Sequence, residues 1–294
     1  MDNPFTEEKY PDEMEQALVN FAQQGDKEAL AKLIKAHQAW IFNIVLKMVY
    51  DHDEAADVTQ EVLLKMITKL STFRGESKFR TWLYRIVVNH VLNMKKGNVE
   101  KAVISFTQYG KDLDDVQNSD LPDRESVPVD INLLVEEAKI SCMTGMLLCL
   151  EREQRLIFVL GEIFKVSDAV GAELMEISRA NFRQKLSRAR KDLYNFMNEK
   201  CGLVDKSNPC RCAKKTKGFI ELGIVDPRNL KFTKEHYNRV HLQSPEKSQQ
   251  FDERFEPKYA ALYREHPFQI PPDFVDSLYQ MLNDRDFKNL LNLN

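Results

Sequence analysis

Residues 51–96 read DHDEAADVTQEVLLKMITKLSTFRGESKFRTWLYRIVVNHVLNMKK, and two opposite surface chemistries are written into them. In the first half apolar residues recur at intervals of three and four, the mark of an amphipathic helix. That spacing predicts a core stripe of Ala56, Leu63, Met66, Ile67 and Leu70. Asp57, Glu61, Leu64 and Thr68 then share the outward side, with Gln60 at its margin. Carboxylates repel phosphate, so an acidic stripe carrying a leucine suits a protein partner better than a nucleic acid. A merely solvated helix would more often carry Lys or Glu in place of Leu64. Around Gly75 the character inverts: Phe73, Phe79, Trp82 and Tyr84 are interleaved with Arg and Lys. Aromatics at helical spacing usually pack inside, and Phe79 and Trp82 read that way. The interleaving nonetheless predicts some aromatic surface turned toward a polar partner.

Working outward, 17–96 is nearly continuous helical pattern, broken at Gly25, at DHDEAAD and at Gly75. Helical periodicity returns over 133–200. Within it, 151–197 divides into a helix to Phe164, a short helix capped by Ser167 and ending near Met175, and a longer helix opened by Ser178. That is the length pattern of a helix-turn-helix. On the last helix Phe182, Leu186, Ala189, Leu193 and Phe196 form one apolar stripe. Arg183, Gln184, Ser187, Arg188 and Lys191, with Arg179 near the start, occupy the other side. These are side chains that bind phosphates and base edges in the major groove. A solvated basic face on a bundle helix is the alternative.

The chain has 294 residues, 43% hydrophobic and 30% charged, with a formal net charge of −3. A nucleic-acid site must therefore come from segregated charge rather than from the overall balance. Nothing approaches the roughly twenty apolar residues that span a bilayer. The start, MDNPFTEEKYPDEMEQ, is acidic where a signal peptide would be basic and then apolar, so a cytoplasmic protein is expected. No paired catalytic carboxylates, Ser/His/Asp set, phosphate-binding loop or zinc-protease motif is present, and no enzyme activity is expected. The run of helical periodicity and its breaks predicts a mainly α protein: a helical domain over 1–97, an acidic linker over 98–132, a helix-turn-helix domain over 133–200 and a C-terminal extension over 201–294. The linker reading rests on KDLDDVQNSDLPDRESVPVD, which is acidic, proline-bearing and aperiodic.

Taken together, two of these segments resemble a known family. DHDEAADVTQEVLLKM followed by STFRGESKFRTWLYRIVVNHVLN is similar to the second conserved region of bacterial sigma factors of the extracytoplasmic-function type, within the sigma-70 family. Residues 151–197, with ISRANFRQKLSRARKDL, are similar to the fourth region. The two matches fall in the family's order, separated by a variable linker. The resemblance implies two small helical domains on a flexible tether, and a promoter-specificity subunit of RNA polymerase. It implies that Asp57, Gln60, Glu61 and Leu64 dock on the clamp helices of the largest polymerase subunit, with the flap as a second contact. It further implies that Phe73, Arg80, Tyr84, Arg85, Asn89 and Asn93 hold the non-template strand of the minus-ten element. Flipped bases need stacking surfaces and hydrogen-bond partners. Arg179, Arg183, Gln184, Ser187, Arg188 and Lys191 would read the minus-thirty-five element. Promoter DNA and an anti-sigma factor are the further partners implied. A stand-alone helix-turn-helix regulator with a C-terminal sensor is the competing reading.

Cys201, Cys210 and Cys212 in CGLVDKSNPCRC are close enough in sequence to share a metal. Structural zinc takes four ligands, so His236 or His241 would have to complete the set. Redox-sensing thiols and ordinary cysteines near a turn are the other readings, and Cys142 and Cys149 read as core. The rest of the extension carries Phe219, Phe232, Tyr237, Phe251, Phe255, Tyr259, Tyr263 and Phe268, enough aromatic surface to require docking. It is expected to regulate activity rather than to select promoters.

Overall fold

The computed structural model describes residues 11–103, 105–122, 127–233, 262–263 and 269–283. Among these the chain is mainly helical. In order come α1 (Asp12–Gln23), α2 (Lys27–Val49), α3 (His52–Lys69), α4 (Phe79–Asn93), α5 (Asn98–Ala102) and α6 (Phe106–Asp115). Then follow α7 (Ile131–Leu148), α8 (Arg152–Phe158) running on as a π-turn over Val159–Ile163, α9 (Asp168–Leu174), α10 (Arg179–Lys200), α11 (Cys212–Glu221) and α12 (Phe274–Asn283). None of the described helices is long and apolar enough to cross a membrane. Contacts divide the chain into two units. One gathers Met1–Gly97, Val159–Lys185 and Ile270–Asn294, the other Asn98–Phe158 and Leu186–Gln269.

The first unit is organised around α2. Asp26 caps it by accepting from the backbone N–H of Glu28 and Ala29 at 2.8 and 3.1 Å. From Trp40 to Val49 every residue is buried, so this end of the helix is enclosed around its whole circumference. Asp51 caps α3 in turn by accepting from Glu54 N–H at 2.9 Å, which is why the chain turns at DHDEAAD. A buried charge network ties α1 to α2 and α4. The Glu15 carboxylate lies 3.1 Å from His37 Nε2 and accepts from Arg80 Nε at 3.2 Å, while Arg80 Nη2 donates to Asp12 at 2.8 Å.

The helix-turn-helix expected from the sequence is present. Ser167 and Ser178 cap α9 and α10 by accepting from Val170 N–H at 3.3 Å and Asn181 N–H at 3.2 Å. Between the helices Glu176 sits at φ 53°, the left-handed conformation that closes the turn. Gly171 on α9 faces the Phe182 ring of α10, and a Cβ there would stand 2.4 Å from it.

In the second unit a carboxylate again orders its surroundings. Glu100 accepts from Arg152 Nε at 3.0 Å and from Arg155 Nη2 at 3.1 Å. On α7, buried Glu137 accepts from the backbone N–H groups of Lys231, Phe232 and Thr233 at 2.7, 3.1 and 2.9 Å, and from the Thr233 hydroxyl at 3.0 Å. Tyr263 O–H donates to Met143 C=O at 3.1 Å, and Gln269 Nε2 to Phe232 C=O at 2.7 Å. Phe219, Phe232 and Tyr263 are all buried, which meets the expectation that the extension's aromatics need covering. Tyr237, Phe251, Phe255, Tyr259 and Phe268 lie outside the described residues.

The linker differs from its reading as an aperiodic segment. Its described part forms α5 and α6, and Leu113 and Val116 are buried. Val116 closes on Gly218 of α11, where a Cβ would stand 2.5 Å away, and Ser119 N–H donates to Lys214 C=O at 2.9 Å. Lys200 and Lys214 pair with Asp114 and Asp120. The acidity of this stretch reads as self-repulsion only until those distant lysines are brought beside it.

Gly171→Ala tests the helix-turn-helix packing. Ala gains about 1 kcal/mol of helix propensity over Gly, but forcing a methyl against Phe182 costs about 1–3 kcal/mol of overpacking. The urea midpoint is expected to fall, and a wild-type midpoint would show that the ring yields. Acid sensitivity tests the two carboxylates. Burial pushes Glu15 up, but His37 and then Arg80 outweigh it and hold the carboxyl below its ordinary 4.5. Burial likewise opposes Arg152 and Arg155 at Glu100, which also ends below 4.5. A depressed folded pKa gives stability that is full above the unfolded value and lost as pH falls through the folded one. Thermal melts should therefore drop below about pH 4.5, and less steeply in Glu15→Gln/Glu100→Gln protein.

Candidate protein and nucleic-acid interfaces

On α3, Asp57 and Glu61 are exposed, while Gln60, Leu64 and Thr68 are half-buried beside them. The outward face is thus the expected one, but the core stripe is broader. Ala55, Val58, Thr59, Val62, Leu63 and Met66 are buried, whereas Ala56 and Ile67 are only half-buried on the flank. The difference arises because α2 and α4 both pack on α3, so two helices rather than one define its inner side. Glu61 Oε2 lies 3.2 Å from His90 Nε2 on α4. On the opposite edge, Gln60 Nε2 donates to Met281 Sδ of α12 at 3.2 Å.

Asn89 and Asn93 are exposed on α4 and line a cleft of about 390 Å³ with Lys65, Lys69, Ile86, His90 and Met94. Asn93 Nδ2 donates to Asn89 C=O at 2.8 Å, which orients its amide. Burial, then the Lys65 ammonium, holds the His90 imidazole below its usual range against the pull of Glu61. A neutral ring can both donate and accept. The cleft therefore offers two amides, two ammonium groups and an imidazole, a set fit for base edges and phosphates. Lys65 and Lys69 escaped the sequence reading. Their spacing of four on a helix that otherwise faces a protein partner was the available signal.

A second concavity, of about 530 Å³, is lined by Thr72, Phe73, Arg74, Glu76, Ser77, Trp82, Arg85 and Glu173. Arg85 is half-exposed here, its Nε donating to Glu173 C=O at 3.3 Å. Three of the residues expected to touch DNA are corrected by burial. Arg80 is 2% exposed and committed to Asp12 and Glu15, and Tyr84 is 0% exposed within the core. Phe73 is 7% exposed, packed against Phe79 and Trp82 at ring separations of 5.6 and 5.4 Å, so only its edge reaches the concavity. Sequence spacing grouped these residues with α4 but could not say which of them distant helices would cover.

Along α10 the apolar stripe is buried as expected, and Arg179, Arg183, Gln184, Ser187, Arg188 and Lys191 are all exposed. Asp168 at the start of α9 accepts from Arg179 at 2.8 Å and lies 3.5 Å from Arg183 Nε. The remaining side chains present a basic, hydrogen-bonding ridge on a continuous helix.

Among the described residues, no group of three or more His, Cys, Asp or Glu side chains is arranged to hold a metal ion. Cys201 and Cys210 are joined by an isolated backbone bridge, and all five thiols are free. Burial, with Cys201 and Cys210 nearby, pushes the Cys212 thiol up to about 12, and Cys201 and Cys210 also rise through burial. Protonated thiols are poor ligands and nucleophiles. His236 and His241 lie outside the described residues. Cys142 and Cys149, expected in the core, are half-buried.

The scaffold that carries the acidic helix and the amide-lysine cleft is that of sigma-70 region 2, whose family model matches residues 33–99. The chain belongs to the extracytoplasmic-function sigma factors. It is 30% identical over 189 residues to the ECF RNA polymerase sigma-E factor of Haemophilus influenzae, covering 62% of this chain and 94% of that relative. Over 81 residues it is 43% identical to the RNA polymerase sigma-H factor of Pseudomonas aeruginosa, covering 28% of this chain and 42% of that relative. Among solved structures it is similar to CnrH in complex with the cytosolic domain of CnrY. That likeness has a TM-score of 0.46 and 18% identity, over 63% of this chain and 97% of the other.

Replacing Arg80 and Asn89 separates structure from surface. Arg80→Ala leaves Glu15 buried beside a missing partner and should cost about 3–5 kcal/mol. Asn89→Ala removes an exposed amide and should change stability by no more than about 0.5 kcal/mol. Chemical denaturation distinguishes them, and a stable Arg80→Ala protein would return Arg80 to the surface.

Proposed function

We propose that this chain directs core RNA polymerase to promoters through three surfaces, each formed by named residues of this structure. Asp57, Gln60, Glu61 and Leu64 on α3 contact the clamp helices of the largest subunit. Asn89 and Asn93, with Lys65, Lys69 and Arg85, hold the separated non-template strand. The exposed ridge of α10 enters the major groove of the upstream element while its domain meets the flap. The observation that carries this reading is the division of labour on α3 and α4. An acidic-apolar face stands beside a cleft of amides and ammonium groups, so protein-binding and strand-binding chemistries are adjacent on one rigid scaffold.

Bases captured after they leave the duplex bias melting without nucleotide hydrolysis, because every captured base lowers the free energy of the open state. Arg85 and Arg183 must exchange their present carboxylate partners, Glu173 and Asp168, for phosphates, an exchange of like interactions rather than a loss. In this reading the phosphodiester chemistry belongs to the polymerase. An anti-sigma factor is a further partner of the same surfaces. A stand-alone regulator would bind duplex operator without polymerase, and the acidic face on α3 would then have no use.

Transcription in vitro with core enzyme and a promoter library tests the proposal. Wild-type protein should give specific initiation, and Asp57→Lys/Glu61→Lys should weaken core binding while retaining helicity. Arg183→Ala/Arg188→Ala should lose upstream recognition by about 1–3 kcal/mol for each base-reading contact. Asn89→Ala should reduce permanganate reactivity downstream. Absence of specific initiation at any salt concentration would sink the proposal.

A further inference from the structure

The C-terminal helix α12 has a hydrophobic face on Phe274, Val275 and Leu278, which are 3%, 5% and 0% exposed, while Asp276 and Gln280 face outward. It packs on α2 and α3 within the first unit. Two polar contacts tie it to α2. Phe274 N–H donates to Gln38 Oε1 at 3.4 Å, and Tyr279 O–H donates to Lys27 C=O. These contacts hold α12 against α2 at Gln38 and Lys27. At its far end Met281 meets Gln60 at 3.2 Å.

Gln60 is the point of interest. On a helix of 100° per residue, Asp57, Glu61 and Leu64 lie within about 60° of one another, with Gln60 on the flank about 40° from Leu64. Ala56 and Ile67, half-buried, lie on that same flank. A polymerase helix seated on Asp57, Glu61 and Leu64 and reaching Gln60 would enter the space that Met281 fills.

We propose that α12 is an intramolecular competitor of core polymerase: docked on α2 and α3, it closes the Gln60 edge of the polymerase-binding face, and full engagement of that face displaces it. This rests on the assignment of Asp57, Gln60, Glu61 and Leu64 to polymerase. Physical chemistry makes the helix a reversible cover rather than a permanent one. Ten residues are too few for a stable isolated helix, so α12 is ordered by its docking and loses order when released. Its attachment to the same chain supplies a high effective concentration, so a weak contact suffices to populate the closed form. An amphipathic helix in a groove is also a mode by which a separate protein could dock, so one surface serves both occupants in turn.

Two measurements on the full-length chain test this. Hydrogen exchange of the 274–283 amides is compared in wild-type protein with and without core enzyme; loss of protection in the complex is expected, and unchanged protection overturns the proposal. In the second, Leu278→Asp places a carboxylate on the docked face, and its core affinity is measured by fluorescence titration beside wild type, with circular dichroism as the check on folding. A gain of about tenfold is expected from releasing one coupled contact, and a synthetic 270–284 peptide should reverse it. Equal affinities in a folded variant overturn the proposal while leaving the sigma-factor reading intact. Failure of both proteins to bind core overturns that reading, and this one with it.

Discussion

The guanidinium of Arg80 is the constraint on which the first unit depends. Buried between Asp12 and Glu15, it joins α4 to α1, and through Glu15 and His37 the same network reaches α2. Such a cluster tolerates no half-measures: each charge is affordable only while its partners are in place. Its consequence is positional. With Arg80 and Tyr84 turned inward, the opposite side of α4 turns Asn89 and Asn93 outward, about two and a half and three and a half turns beyond Arg80. The cleft they form against α3 inherits its geometry from a network it does not contain.

The second unit uses the same device for another purpose. Glu137 gathers three successive backbone N–H groups and a hydroxyl from 231–233, anchoring part of the extension to α7. Backbone donors need acceptors when buried, and one carboxylate satisfies several at once. Glu100, held by Arg152 and Arg155, plays the matching role between α5 and α8. In both units buried carboxylates specify which segments meet, while Leu, Ile, Val and Phe supply the bulk of the burial.

Surface chemistry follows from these interior choices. The α3 face is flanked on one edge by the basic cleft and on the other by α12, so its middle, at Asp57, Glu61 and Leu64, is the part left accessible. Along the α10 ridge Arg179 and Arg183 are exposed while engaged by Asp168. The contacts of Arg179 and Arg183 with Asp168 are exposed ion pairs of the kind that water and phosphate can replace.

Local pattern determined much of this protein. Asp51, Ser167 and Ser178 mark helix starts because their side chains satisfy backbone donors a few residues away. The stripe from Phe182 to Phe196 is legible because a helix repeats every 3.6 residues. Family motifs likewise lie in contiguous stretches, and the region matched at 33–99 contains both candidate surfaces of α3 and α4. What only the tertiary structure decided involves partners far apart in sequence. Arg80 reads as a phosphate ligand until Asp12 and Glu15 arrive 68 and 65 residues away. Residues 111–120 read as a repelling tether until Lys200, Lys214 and Gly218 are beside them. The Gln60 edge reads as open until α12 returns from 221 residues downstream. Periodicity records what a residue does to its own helix, but burial and charge pairing depend on which distant segment covers it, and that is settled only when the chain folds.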